Sequence, residues 1–421
     1  MVSIVCYFFI QEDGLKRFYL VGGLLLFCMG VFSQEAADQA VVINVEVPVR
    51  VFQKGDFVEN LTIDDFEILE EGMPQRIEAV YFIKKRTVER SEEKRRFLPS
   101  TDRTFFLFFE ISEYSPEIGD AIDYFHENVL VPGDDLIVVT PLNTYKLRSQ
   151  LLEFQSKKEL SRQLKELLRK EVLMGNAEYR EAVQELTGLA RLLASNSPDA
   201  RDAAQLDEYT LACYGRMPVE KQLMKYLNIL ERIRKLRRVD QQKLLDFAKI
   251  LKNEAGQKYV FLVYQREYIP QIEPRILDKY VAAFQDKPHV LQGLYSMSHT
   301  SRRDISFDVD LVKQAYADSS ISIHFLFLTP AIKHVQGVYF QERSEDIFGA
   351  FREMANATGG FVDASANPAS SFKRAVDASE NFYLLYYSPQ DYQKDGRFKE
   401  IEVRVKEKDF RVVHRMGYFS N

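Results

Sequence analysis

Arg103-Thr-Phe-Phe-Leu-Phe-Phe-Glu-Ile-Ser-Glu-Tyr-Ser115 is the stretch around which the rest of the chain takes shape. Residues 104–109 form an unbroken apolar run, five of the six being Phe or Leu. A run this short, without polar alternation, reads as a strand buried on both faces, as at the centre of a parallel sheet. It stops at Glu110, Ser112 and Ser115, and Pro116 is suited to open a following helix. A carboxylate and two hydroxyls at the carboxyl end of a central strand lie where open α/β sheets place ligands. An all-oxygen set of this kind suits a hard cation such as Mg2+.

Other apolar runs extend the same pattern. Residues 131–140 read as a turn and a buried strand, residues 145–152 as an edge strand, and residues 258–264 and 321–328 as further buried strands. Residues 117–129 read as an amphipathic helix, with Ile118, Ala121, Ile122, Phe125 and Val129 on one stripe. Further helices are expected over 307–317, 346–357 and 372–379, with residues 331–343 left as a loop. Residues 156–255 are helical in pattern throughout, and Gly256 ends them as a left-handed cap. That block exceeds what one crossover helix needs, so it reads as an insertion on the sheet. Its basic cluster, Arg232-Ile-Arg-Lys-Leu-Arg-Arg238, is flanked by Glu231 and Asp240 and reads as a solvated helix face.

Upstream, residues 41–52 alternate strictly and are rich in Val, which marks a half-buried strand. With residues 61–72 and 75–83 they make a small β module over 40–85, marginal alone and expected to pack on its neighbour. Residues 86–103 form a charged linker, residues 104–389 the main domain, and residues 390–421 a C-terminal β-hairpin packed on it.

The amino terminus carries an export pattern. Leu15-Lys-Arg17 precedes an almost wholly apolar run over 18–32, with Val31 and Ser33 at the positions signal peptidase reads before Gln34. The run is short for a membrane span, which needs about 20 apolar residues. Residues 1–33 are therefore expected to be a signal peptide, leaving no integral span after cleavage and a secreted or periplasmic protein. Cleavage would also remove Cys6 and Cys28, leaving Cys213 with no disulfide partner.

Two sets of residues carry a family resemblance. The opening stretch resembles the first strand and metal-site loop of von Willebrand factor A-like (VWA) domains, whose motif is Asp-x-Ser-x-Ser. Glu110 stands at the Asp, Ser112 at the first Ser, and Tyr114, with Ser115 beside it, at the second. Val47-Pro-Val-Arg-Val51, Asn60-Leu-Thr62, Asp65-Phe-Glu67 and Glu71-Gly-Met-Pro-Gln75 resemble the lead-in module of VWA-related proteins exported by Acidobacteria and their relatives. Thr358-Gly-Gly360, Tyr386-Tyr-Ser-Pro389, Asp395-Gly-Arg-Phe398 and Arg415-Met-Gly-Tyr418 continue that likeness. The resemblance implies an α/β, Rossmann-like VWA domain with a mostly parallel central sheet, a helical insertion and a small N-terminal β module. It also implies a Mg2+ site at Glu110, Ser112 and Ser115 whose open position accepts a partner's carboxylate. The chain departs from that pattern at Tyr264-Gln265-Arg266-Glu267, where a working site has an Asp and this one a cation. The alternative, which this departure favours, is a structural role for the cluster, with Glu110 capping the following helix or pairing with a Lys or Arg and the hydroxyls satisfying loop amides.

Composition excludes several classes. A formal net charge of −6 gives no reason to expect a nucleic-acid partner. The six His are scattered, and no His-Glu-x-x-His, P-loop, Gly-x-Gly-x-x-Gly or Gly-x-Ser-x-Gly is present. The expectation is a non-catalytic, exported protein-binding or adhesion module. Its contacts would come from Glu113, Tyr114, Thr140, Asn143, Gln265 and Glu267 at the top of the sheet. The rival readings are a structural or assembly component of a cell-envelope complex acting through the helical insertion, and an unrecognised hydrolase.

Overall fold

The computed structural model describes residues 43–148, 156–195, 206–254, 256–299, 307–319, 321–330, 335–364, 368–406 and 409–420. The signal-peptide expectation lies outside them.

The chain opens with β1 (Val45–Gln53), β2 (Asp56–Phe57), β3 (Phe66–Glu70), β4 (Met73–Gln75), β5 (Ile77–Lys84) and β6 (Thr87–Glu93). The quoted stretch forms β7 (Arg103–Glu110) and leads into α1 (Pro116–Tyr124), which ends in a π turn, and then β8 (Asp135–Val139) and β9 (Thr144–Leu147). The helical block supplies α2 (Lys157–Gly175), α3 (Ala177–Ser195), α4 (Glu208–Tyr214), α5 (Val219–Leu236) and α6 (Gln241–Asn253). Next come β10 (Gln257–Gln265), β11 (Tyr268–Ile272), α7 (Pro274–Ala283), α8 (Pro288–His299) and α9 (Val309–Asp318). They are followed by β12 (Ile321–Leu328), β13 (Val338–Glu342), α10 (Glu345–Ala357), β14 (Val362–Asp363) and α11 (Pro368–Glu380). The last strands are β15 (Asn381–Tyr387), β16 (Phe398–Val405), β17 (Arg411–His414) and β18 (Gly417–Phe419).

The pairing corrects the expected fold class. The chain is not a Rossmann-like VWA domain organised on one mostly parallel central sheet; it is a mixed α/β protein in which antiparallel sheets predominate. Among the described residues, ten strand pairings are antiparallel and four are parallel. The parallel pairs are confined to one mixed sheet, ordered β14-β12-β10-β7-β8-β9, with β9 antiparallel at its edge. The rest of the strand content lies in a six-stranded antiparallel sheet along β17-β1-β15-β5-β6, with β2 paired to β1, a four-stranded one (β18-β16-β3-β4) and a β11-β13 ribbon. One antiparallel sheet curls into a half-barrel. Register shifts at Tyr386/Tyr387 and Phe82/Ile83 supply local bends of the kind that bulges introduce.

The reason for the difference is partner choice. The amino-terminal strands pair with the carboxyl-terminal ones: Val47 lies opposite Leu385, Val51 opposite Val412 and Ile68 opposite Val403. The alternation in β1 reports which residues face a core and is silent on which strands flank it. Residues expected to be a loop also pair, since β13 runs beside β11, and the expected linker contains β6, an edge strand on β5.

Each face of the mixed sheet has its own core. Phe105, Leu107 and Phe109 pack with α1, α2 and α11, whereas Phe106, Val260 and Leu262 pack with α6, α9 and α10. Edge-on and offset rings knit the first core: Phe105–Phe125 centroids are 5.2 Å apart and Phe261–Phe372 4.7 Å. Each buried Phe contributes about 1.5–3 kcal/mol by area alone. The middle of the helical block makes a separate core in which α3 and α5 close over β11, β13 and α7. No helix among the described residues is long and apolar enough to cross a membrane.

The antiparallel sheet meets the mixed sheet through Arg50 of β1. Its guanidinium donates to the Gly359 carbonyl (2.8 Å) and to Ser322 Oγ (3.1 Å) on β12. Next to Ser322 in the mixed sheet is His324, 1% exposed, stacked on Phe261 at 4.9 Å, with neither ring nitrogen hydrogen-bonded. Burial, reinforced by the Arg50 charge, pushes its ring well below the usual histidine value. A histidine held neutral on folding contributes fully above about pH 6.5, and stability falls as pH drops below that value. Between pH 7.5 and pH 5 stability is therefore lost progressively on this account. His324→Leu is expected to flatten the acid slope in urea midpoints measured across this range. It leaves in place His126 and His414, whose rings burial also pushes down. Parallel slopes for the two proteins would refute the assignment.

Candidate functional site

The carboxyl end of β7 turns outward at Ile111 into the loop that precedes α1. Three donors of this loop converge on one acceptor. The Ser112 amide (2.9 Å), the Ser112 hydroxyl (3.0 Å) and the Glu113 amide (3.0 Å) all donate to Gln265 Oε1. Gln265 is the last residue of β10, the neighbour of β7, so a neutral amide oxygen satisfies the loop where a carboxylate was sought. Asn176, just past α2, ties the loop from the other side, donating to the Ile111 carbonyl at 3.0 Å.

Ser115 precedes the first residue of α1 with extended backbone, but its hydroxyl caps no backbone amide. It serves Glu117 instead, whose own amide and the Ser115 hydroxyl hold that carboxyl below its ordinary range. Glu110 keeps exposed surface, yet the protein packed around it raises its pKa. Arg237 and Lys243 pull the value back and Glu267 adds to the rise.

These residues do not fit a resident Mg2+. The Ser112 hydroxyl is committed to Gln265, Ser115 to Glu117, and two cations address Glu110. Among the described residues no group of three or more His, Cys, Asp or Glu side chains is placed to hold a metal ion.

A second knot fixes the turn between β8 and β9. Glu171 of α2, buried, accepts from the Thr140 hydroxyl, the Tyr145 hydroxyl and Asn143 Nδ2, the last at 2.8 Å. Burial opposes its charge, but these three hydrogen bonds hold its carboxyl below the usual value. Beyond β10, Glu267 is 4% exposed and pairs with Arg237 at 2.8 Å. The Tyr264 hydroxyl donates to the same carboxylate, and the guanidinium lies over the Tyr179 and Tyr264 rings. Arg237 is thus not part of a solvated face, as its basic cluster suggested.

The contact set expected from sequence therefore divides. Thr140, Gln265 and Glu267 are buried and spend their polar atoms on the fold, so they are not surface contacts. Glu113 and Asn143 are exposed, and Tyr114 is half-buried beneath the Arg169 guanidinium, 5.0 Å from its ring centre. The surface that these residues border was not anticipated: Leu142 at the β8–β9 turn, with Leu173 and Met174 in the last turn of α2. The signal for it was faint, a Leu-Met pair on the polar side of an amphipathic helix.

What the arrangement offers is a set of braced loops carrying exposed side chains, with the Ser112 and Thr140 hydroxyls and the Glu171 and Glu267 carboxylates engaged internally. No protein-family model, curated protein or solved structure matches this chain.

Proposed function

We propose that this chain is an exported, non-catalytic protein-binding module that works in the periplasm or outside the cell. It engages its partner with the top of the mixed sheet. One observation carries the reading: Leu142, on the β8–β9 turn that the Glu171 knot holds in place, and Leu173 and Met174, in the last turn of α2, are 49%, 53% and 56% exposed. Large apolar side chains gathered in solvent are a recurrent mark of protein interaction sites. A surface fixed before binding loses little conformational entropy on docking, which favours affinity. Export is supported by the basic, apolar and small-residue pattern over residues 15–34.

The test is photo-crosslinking in the cells that encode the protein, with a photoreactive residue at position 142 and, as a control, at Lys54, exposed in the β1–β2 turn. The expected result is a discrete envelope or extracellular adduct from position 142 that is absent from position 54. It should also be lost when Leu173→Asp is added. The same adducts from both positions, or none from position 142, would overturn the proposal.

A further inference from the structure

Two exposed cations stand beside the apolar surface. Gly175 explains how the surface is assembled. A Cβ there would stand 2.6 Å from Pro141 Cβ and 3.2 Å from Leu142 Cγ, so only a glycine lets the β8–β9 turn lie directly on the end of α2. Leu142 is thereby set against the turn that carries Leu173 and Met174. One helical turn earlier, at i−4 from these two, stand Arg169 and Lys170, both exposed. Arg169 is held over the Tyr114 ring, and burial raises the Tyr114 pKa while Arg169 and Lys165 lower it. Neither Arg169 nor Lys170 forms an ion pair with a carboxylate among the described residues.

The carboxylates of this region are differently placed. Glu171 is enclosed and takes three hydrogen bonds. Glu113, beside Tyr114, is the exposed acid of the adjoining loop. Arg180 of α3 adds a further cation, since its Nη2 donates to the Leu173 carbonyl at the helix end. In a chain with 62 acidic and 56 basic residues, two exposed cations without a carboxylate ion pair among the described residues, beside apolar side chains, are a local departure from the overall balance. Charges so placed select partners of opposite charge and set encounter rates, while the desolvated apolar centre supplies most of the affinity.

We infer that Leu142, Leu173 and Met174, flanked by Arg169 and Lys170, dock an acidic segment of a partner protein. That segment sets aliphatic or aromatic anchors on the apolar surface and carboxylates against the two cations. This inference rests on the protein-binding reading above and adds the chemistry of the partner.

Fluorescence anisotropy with labelled synthetic peptides of about 14 residues tests it on the purified chain. One peptide carries Leu and Phe at helical spacing flanked by Glu; a second replaces each Glu by Lys; a third replaces each anchor by Ser. The acidic, apolar peptide is expected to bind at least about tenfold more tightly than the other two in low salt, and that margin should shrink in about 0.5 M salt. Arg169→Glu with Lys170→Glu should weaken it by roughly tenfold or more and favour the Lys peptide. Leu173→Ser with Met174→Ser should weaken both apolar peptides. Thermal midpoints of the variants show whether they remain folded, and the four changes are all at exposed positions.

Equal binding of the Glu and Lys peptides, indifference to charge reversal, or no binding of any peptide would overturn the inference. Sedimentation velocity covers a different occupant: a dimer lost in Leu173→Ser would identify a second copy and overturn it as well. If crosslinking at position 142 succeeds while the charge preference fails, the acidic partner alone is wrong. If both fail, the binding surface itself is wrong.

Discussion

Asp134→Ala is expected to lower the stability of the folded chain by about 3–5 kcal/mol, because it leaves a buried guanidinium without its counter-charge. Asp134 is fully buried and Arg103 is 3% exposed. Arg103 Nε and Nη2 donate to the two carboxylate oxygens at 3.0 and 2.6 Å, and Val131 N adds a third bond at 2.9 Å. Once the carboxylate is gone, the Val129 carbonyl, 3.1 Å from Nη2, is the hydrogen bond left to that guanidinium. Arg103 is the first residue of β7, so the damage falls at the amino end of the strand on which both cores of the mixed sheet are built. Urea denaturation is the measurement, with a reduced midpoint and an unchanged slope expected.

Two controls separate this account from a general sensitivity of the region. Arg86→Ala removes a longer contact, 3.4 Å, from a side chain that also serves the exposed Asp102, and should cost less than about 1 kcal/mol. Arg103→Met combined with Asp134→Leu removes both charges together and should recover most of the loss. A cost for Asp134→Ala below about 1.5 kcal/mol, or a double variant no better than the single one, would contradict the assignment.

What the sequence discloses here follows from the kind of information each residue carries. The apolar run in β7 could be read as a doubly covered strand because both of its faces meet helices, and the runs in β10 and β12 are legible for the same reason. The pairing of β1 with β15 and β17 could not be read. Strand alternation encodes burial, and the partners lie more than 300 residues away. The loop after β7 was located correctly on the chain, but its ligand was not: nothing in Gln265 announces that its amide oxygen takes three donors from residues 112 and 113.

Two residues were missed although their spacing marks them. Glu171 stands seven residues after Leu164 and three after Leu168, on the buried stripe of α2. Arg237 stands four after Ile233 and eight after Ile229, both buried, so the apolar face of α5 runs straight into it. Arg237 was read as solvent-facing with the rest of its basic cluster and Glu171 was given no role, whereas helical periodicity places both inside.

That periodicity leads to the second large effect. Glu267→Ala is expected to cost about 3–5 kcal/mol, for it strands Arg237 between two tyrosine rings with its main acceptor removed. Glu267→Gln should cost less, since an amide oxygen can still accept from Arg237 and from the Tyr264 hydroxyl while the charge attraction is lost. Unlike Asp134, this carboxylate joins different parts of the fold. Arg237 closes α5 of the helical block, and Glu267 follows β10 of the mixed sheet. Hydrogen exchange should therefore show protection lost first in α3 and α5, whose core packs on β11 and β13, with β7 and β10 affected only at higher denaturant. A second readout comes from Glu110, whose pKa is raised by burial first and by the Glu267 charge in addition, with Arg237 and Lys243 opposing. With Glu267 removed, burial still raises the Glu110 pKa but the contribution of the Glu267 charge is gone, so the value followed by NMR should fall. A stable Glu267→Ala protein with an unmoved Glu110 titration would mean that Arg237 finds its compensation elsewhere, and that the helical block is not fastened to the sheet through this pair.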